Sequence, residues 1–323
     1  MKTYDEMKEN VFRRRDEYFE TKRKVMKKTS AIIFSTAIVV GSCFAVYGVS
    51  EIIKEKNKFQ IAHESGSDIS EVDEEGNFKY EDFSSLESDM TDDPKINIYN
   101  KMLNTIDFID RITVTAETSM LGEGKCEIFY DVDITEGISY QSVRVNGTLT
   151  DETFSTNKGM TYVDHNEKYV CENYLPTYSR EDTPYIPLSK RIVTGDDGIP
   201  CYYYRRNITN CPLASYCLVP QELTFSYLKD FDLWKIEDNY GKYLERECIV
   251  IKGILSPYSS EKHSADSFVL QVDKETGIIL SLETMKNGAI VDYMRVMSYN
   301  LDSLDEILKY NEKEFNSYNK IAR

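Results

Sequence analysis

The chain of 323 residues has only three histidines, His63, His165 and His263, and none stands in a motif. No GxSxG, HExxH, GxGxxG or Walker loop occurs, and neither CxxC nor HxxxH spacing is present. A catalytic centre needs a converging nucleophile, base and orienter, or a set of metal ligands. The sequence therefore points to a protein that is not an enzyme and needs no cofactor and no metal.

Basic residues are scarce over most of the chain. Of 39 Lys and Arg, ten fall in residues 1–29 beside six Asp and Glu, and the remaining 29 stand against 49 acidic residues. Neutralising phosphates needs clustered cations, so this distribution excludes nucleic acid as a partner. The acidity reads as a solubility device.

Long hydrophobic runs are absent but for one, AIIFSTAIVVGSCFAVYGV, from Ala31 to Val49, which carries no charge. As a helix rising about 1.5 Å per residue it is roughly 28 Å long, close to the hydrocarbon thickness of a bilayer. Lys22, Arg23, Lys24, Lys27 and Lys28 precede it, which sets the N-terminus in the cytoplasm. The expected topology is single-pass at the cell membrane, with a short basic cytoplasmic segment (1–29), a transmembrane helix (30–50) and the remainder extracytoplasmic. A cleaved signal peptide would have a shorter apolar core. A second reading concerns Val40-Gly41-Ser42-Cys43, which resembles a bacterial lipobox with Cys43 as the lipidated residue. The apolar run continuing through Phe44 to Val49 speaks against it.

Residues 51–93 are rich in acids and serine and poor in apolar side chains. Such a composition cannot offset its ordering entropy and reads as an acidic disordered linker, with Phe78, Tyr80 and Phe83 able to dock on the domain behind it. That domain, spanning 94–323, opens at Asp93-Pro94, an N-cap with proline at the first helical position. Ile96, Tyr99, Met102 or Leu103, Ile106 and Ile109 then recur at helical spacing. From Arg111 the period becomes two, and Ile128, Tyr130 and Val132 share one strand face. Asn146-Gly147 and Asn287-Gly288 are hairpin-turn pairs. Direct hairpins mean an antiparallel sheet.

Six prolines lie between 176 and 220, marking a long excursion that reads as a lid or partner surface. Leu223, Tyr227, Phe231 and Trp234 come next at helical spacing, and Ser303 and Glu306 form a capping box ahead of a terminal helix. Six cysteines beyond Cys43 do not specify their own pairing. One disulfide among Cys201, Cys211 and Cys217 fits the excursion, and buried thiols fit the composition equally well.

Two stretches carry a family resemblance. FSTNKGMTYVDHNEKYVCENY, with ECIVIKGIL and the D-x-x-T-G turn in SFVLQVDKETGIILSLE, is similar to the LolA-like lipoprotein-carrier superfamily and its sigma-factor regulatory RseB/MucB-like branch. The resemblance covers roughly residues 95–302. It implies an α+β fold, an antiparallel curved sheet (half-barrel) wrapped around one or two helices, behind the transmembrane helix and the acidic linker. NVFRRRDEYFETKRKVMKK also resembles the juxtamembrane part of anti-sigma-type membrane proteins, although the segment is shorter than a usual sigma-binding domain.

The expected function is a membrane-anchored extracytoplasmic binding or sensor module. Its partner is an apolar ligand or an envelope protein held in a cavity lined by Ile128, Tyr130, Val132, Tyr227, Phe231 and Trp234, with a cytoplasmic regulator reached through the N-terminal segment. The alternative is an envelope lipid or lipoprotein carrier that does not signal.

Overall fold

The computed structural model describes residues 61–62, 80–89, 91–120, 125–195, 200–206, 208–237, 241–301 and 306–322. The basic segment 1–29, the span 30–50 with Cys43, and residues 51–60 and 63–79 of the linker lie outside them. Among the described residues no helix is long and apolar enough to cross a membrane.

A two-residue strand, β1 (Ile61–Ala62), comes first. The end of the acidic linker is laid onto the domain rather than left free of it. Glu81 N–H donates to Lys229 O, and Phe83 is buried against the rings of Tyr99 and Phe231. Helix α1 (Pro94–Leu103) then starts where Asp93 accepts the Lys95 N–H at 2.7 Å, with proline at the position whose N–H has no intrahelical partner. Six strands continue the chain as a meander: β2 (Arg111–Thr118), β3 (Cys126–Asp133), β4 (Ile138–Val145), β5 (Thr148–Thr156), β6 (Gly159–Asp164) and β7 (Tyr169–Asn173). Asn146 and Gly147 turn β4 into β5 with φ of 50° and 83°, the left-handed pair that a two-residue hairpin demands.

The proline-rich excursion contains β8 (Ile192–Thr194), β9 (Pro200–Tyr203) and helix α2 (Pro212–Leu218). Helix α3 (Gln221–Leu228) comes next, and then β10 (Trp234–Ile236), β11 (Gly241–Tyr243), β12 (Arg246–Ile254), helix α4 (Pro257–His263), β13 (Ser267–Asp273), β14 (Ile279–Lys286), β15 (Ala289–Leu301) and β16 (Asn319–Ala322).

Thirteen strands make one open, curved sheet in the order β10-β12-β13-β14-β15-β2-β3-β4-β5-β6-β7-β16, with β11 beside β12. Every pairing in it is antiparallel except β16 on β7. β1, β9 and β8 form a separate small sheet. Helix α1 packs on α3, and α2 packs on β3 and β14, so the helices fill the inner face. Gly277, in the β13–β14 turn, lets that turn approach the end of α1, since a Cβ there would stand 2.8 Å from Lys101 O.

Three expectations are corrected. The stripe Leu223–Trp234 is not one helix. It breaks at Asp230, whose carboxylate accepts the Asp232 N–H and starts a 3-10 turn, and Trp234 opens a strand. The terminal helix is absent from the described part of its range: residues 306–311 are irregular, Glu312–Phe315 is a 3-10 turn capped by Asn311, and the chain ends in β16. The excursion is not free to act as a lid, because Arg191, fully buried, directs its guanidinium to Ile186 O, Tyr203 O, Gln221 Oε1, Leu103 O and Asn104 Oδ1. Two of these acceptors lie at the C-terminal end of α1, where carbonyls lack helical partners and a cation is favoured.

The C-terminal segment also covers the outer face of the meander. Ile307 and Phe315 are buried against Tyr140, Phe154, Val163 and Val170. Glu152 accepts from Tyr140 Oη at 2.6 Å and lies 2.7 Å from His165 Nε2, whose other ring nitrogen meets Tyr318 Oη at 3.0 Å. Strands covered on both faces lose simple alternation, which is why β4 is almost continuously buried.

Candidate functional site

β15 has 13 residues and its hairpin partner β14 has 8. β14 pairs with β15 only as far as Arg295, and β2 takes the other side from Met294 to Leu301. A bulge falls between Val296 and Ser298, leaving Met297 as the extra residue. Beyond it β15 runs on with no strand on its β14 side among the described residues.

The β11–β12 turn stands opposite that bare side. Leu244 and Glu245 hold left-handed φ of 50° and 63°, unusual for residues with side chains, and such geometry persists only where its surroundings enforce it. Here the two-residue hairpin demands it, with Tyr243 paired to Arg246, and two side-chain contacts tie the turn to β15. Tyr243 Oη donates to Val296 O at 2.9 Å, and the Arg246 guanidinium lies 5.9 Å from the centre of the Tyr299 ring. Arg246 is itself fixed. It donates to both oxygens of buried Asp273, at 2.7 and 3.0 Å, and pairs with Glu275 at 2.8 Å.

Burial pushes the Asp273 carboxyl up, but the hydrogen bonds from Arg246 and Thr276 more than offset this and hold it below the ordinary carboxylate value. The Asp273 hydrogen bond raises Arg246, against its own burial. Burial raises the Tyr299 and Tyr243 hydroxyls.

Between these walls lies an open groove of about 620 Å³. Leu244, Glu245 and Arg246 form one side and residues 297–301 the other. Its lining is mixed: Leu244 is 42 % and Met297 52 % exposed, Tyr299 and Leu301 are half-buried against the core, and Glu245 makes no ion pair among the described residues. No group of three or more metal-ligating side chains converges among the described residues. Its lining offers apolar side chains and main-chain hydrogen-bonding groups.

The architecture resembles that of several solved structures. An uncharacterised conserved protein of Thermus thermophilus matches 70 % of this chain and 98 % of its own, with 6 % identity and a TM-score of 0.36. MucB of Pseudomonas aeruginosa, in its complex with MucA, matches 68 % of this chain and 60 % of its own, with 12 % identity and a TM-score of 0.33. The lipoprotein LppX of Mycobacterium tuberculosis matches 67 % and 99 %, with 8 % identity and a TM-score of 0.34. No protein-family model and no curated protein sequence matches the chain. MucB, whose branch the sequence resembles, is among these matches.

All six expected cavity residues are interior, none more than 9 % exposed, and none lines the groove. Tyr130 lies against Cys217 of α2. Tyr227 meets Phe268 edge-on at 5.1 Å, and Phe231 meets Trp234 at 4.9 Å. Gly253 admits that packing, since a Cβ there would come within 2.4 Å of the Phe268 ring. The structure thus brings the six into one apolar core, the strand residues toward α2 and the others among the aromatic rings.

Of the two readings of Cys201, Cys211 and Cys217, a disulfide or buried thiols, the structure has the thiols. Cys211 Sγ faces Ser139 Oγ at 3.5 Å and Cys217 Sγ faces Met294 Sδ at 3.3 Å, both as buried thiols, and Cys201 is buried in β9.

Sequence reasoning missed the groove residues. A signal was present: counted outward from Asn287-Gly288, the returning arm outlasts its partner, and it ends in Met-Ser-Tyr-Asn-Leu, uncharged and free of proline.

Proposed function

We propose that this chain is a membrane-tethered extracytoplasmic binding module, without catalysis, that takes an apolar ligand or protein segment into the groove between β15 and the β11–β12 turn. The observation that carries this reading is the groove itself, lined on its two sides by exposed Leu244 and Met297, with walls held by Tyr243 and Arg246. Preformed walls lower the ordering cost of binding. The apolar run at 31–49 supplies the tether, and the basic tail before it is the route by which occupancy reaches a cytoplasmic regulator.

The test is photocrosslinking of the full chain in its native membrane, with benzoylphenylalanine replacing Leu244 or Met297 and, as control, exposed Lys158 on a distant hairpin. Adducts at both groove positions and none at 158 are expected. Equal labelling at all three, or none at the groove, overturns the proposal. Where adducts form, exchanging residues 1–29 for an unrelated basic segment separates sensor from carrier, because a carrier keeps working.

A further inference from the structure

We infer that the occupant of this groove is an extended peptide that adds a strand to the bare edge of β15 along Met297–Leu301. This rests on the binding role assigned to the groove above and names the class of its ligand. In an antiparallel pair, every second residue turns both its N–H and its C=O away from the partner strand. With β2 on one side, part of the 297–301 main chain must therefore aim its hydrogen-bonding groups into the groove. Val296 O is met by the Tyr243 hydroxyl, a side chain standing where a strand would otherwise be. No described residue offers a backbone partner on that side to the next five residues.

Sheet edges exposed to solvent are ordinarily blunted by lysine, proline or a covering segment. Here the bulge at Met297 is the last such device, and Ser298-Tyr299-Asn300-Leu301 carries no charge and no proline. A lipid chain could cover Leu244 and Met297, but it has nothing to offer a row of amide groups. An extended peptide has both, because its main chain completes the ladder and alternate side chains point to opposite faces. One set would lie over Tyr299 and Leu301, which face the core side with Val114 and Ile112, and the other would stand with Ser298 and Asn300 toward solvent. At the rim Arg246 is committed to Asp273 and Glu275, while Glu245 is open. The peptide that fits therefore alternates apolar residues and carries a lysine or arginine at the end lying beside Glu245.

The experiment uses the full chain in detergent micelles and a fluorescent pool of hexapeptides with lysine first and Ile, Val, Leu or Phe at alternate positions. A matched pool is N-methylated on the backbone at alternate residues, which removes ladder donors and leaves the side chains in place. Losing two or three main-chain hydrogen bonds predicts roughly tenfold or greater weakening. Tight binding of the plain pool, at least about tenfold loss on methylation, and loss of binding in Met297→Lys support the inference. Equal binding of the two pools overturns strand addition and leaves an apolar groove. Binding of a fluorescent fatty acid that is lost in Met297→Lys, with no peptide binding, also overturns the inference while the groove reading stands. Binding of neither probe removes both. A dimer that Met297→Lys dissociates identifies a second copy as the occupant, and overturns the inference.

Discussion

Arg246 holds Asp273 through two parallel hydrogen bonds, from Nε at 2.7 Å and from Nη2 at 3.0 Å, and Asp273 is completely buried. The same carboxylate accepts the Thr276 N–H at 2.8 Å, so one ion pair secures both the groove wall and the turn from β13 to β14. Removing the cation leaves a buried charge with too few partners, and Arg246→Ala is expected to lower stability by about 3 kcal/mol. The folded carboxyl lies below its unfolded value of about 3.9. Its contribution is therefore complete above about pH 4 and is lost as the pH falls through the lowered folded value. Urea unfolding of the wild type and of Asp273→Asn across this range checks it, because the variant should show the weaker acid dependence.

Arg191 ties the proline-rich excursion to the end of α1 with its five donors all engaged. Arg191→Met leaves five buried acceptors short of a donor and is expected to cost about 3 kcal/mol or more. Arg191→Lys should recover only part of this, since an ammonium cannot reproduce the planar fork. Limited proteolysis between 176 and 206 reads the release of the segment directly.

The Tyr227 hydroxyl is buried with no hydrogen-bond partner among the described residues, while its ring packs on Phe268. Tyr227→Phe therefore deletes an unsatisfied group and should leave stability unchanged within about 0.5 kcal/mol, or raise it. Phe231→Ala, which empties a site ringed by Phe83, Tyr99 and Trp234, should cost about 3–5 kcal/mol. Thermal melts of the two variants distinguish a packed interior, where they diverge, from an open cavity, where both are mild.

Burial pushes the Cys211 thiol up to about 11 and the Cys217 thiol up to about 12. Since the thiolate is the reactive form, neither should react with a thiol reagent at pH 8 in the folded chain. Both should react at once in guanidinium without prior reduction. Labelling and then peptide mass mapping decides it, and a requirement for reductant would mean that a disulfide forms.

Much of the sheet was legible because its signals are local. Asn146-Gly147 and Asn287-Gly288 demand left-handed turns, and the alternation of Ile128, Tyr130 and Val132 demands a buried face, whatever lies far away in the chain. The end of the stripe Leu223–Trp234 was hidden because four apolar residues at helical spacing outweigh one Asp230, whose preference for capping appears only when the chain actually turns there. The terminal helix failed for a related reason: Ile307 and Phe315 are apolar to cover the outer face of β4–β7, a tertiary demand that mimics helical periodicity. Of the groove, only the overhanging end of β15 left a trace in the sequence, because the groove is made by what is missing, a strand beside 297–301. Its other wall, the turn at 244–246, lies some way back in the chain, and neither segment alone announces the other.

The distance between paired strands governs how the domain is made. Glu117 meets Tyr293 across 176 residues, and β2 therefore emerges long before the strand that completes it. Contacts this distant in sequence slow folding, because the intervening loop must close before any pairing rewards it. During synthesis, β2 waits as an open edge while β3 to β7 form their local hairpins behind it. Acquisition of the native state is expected to be slow and late, with an interval of vulnerability to misassembly that ends only when β15 arrives.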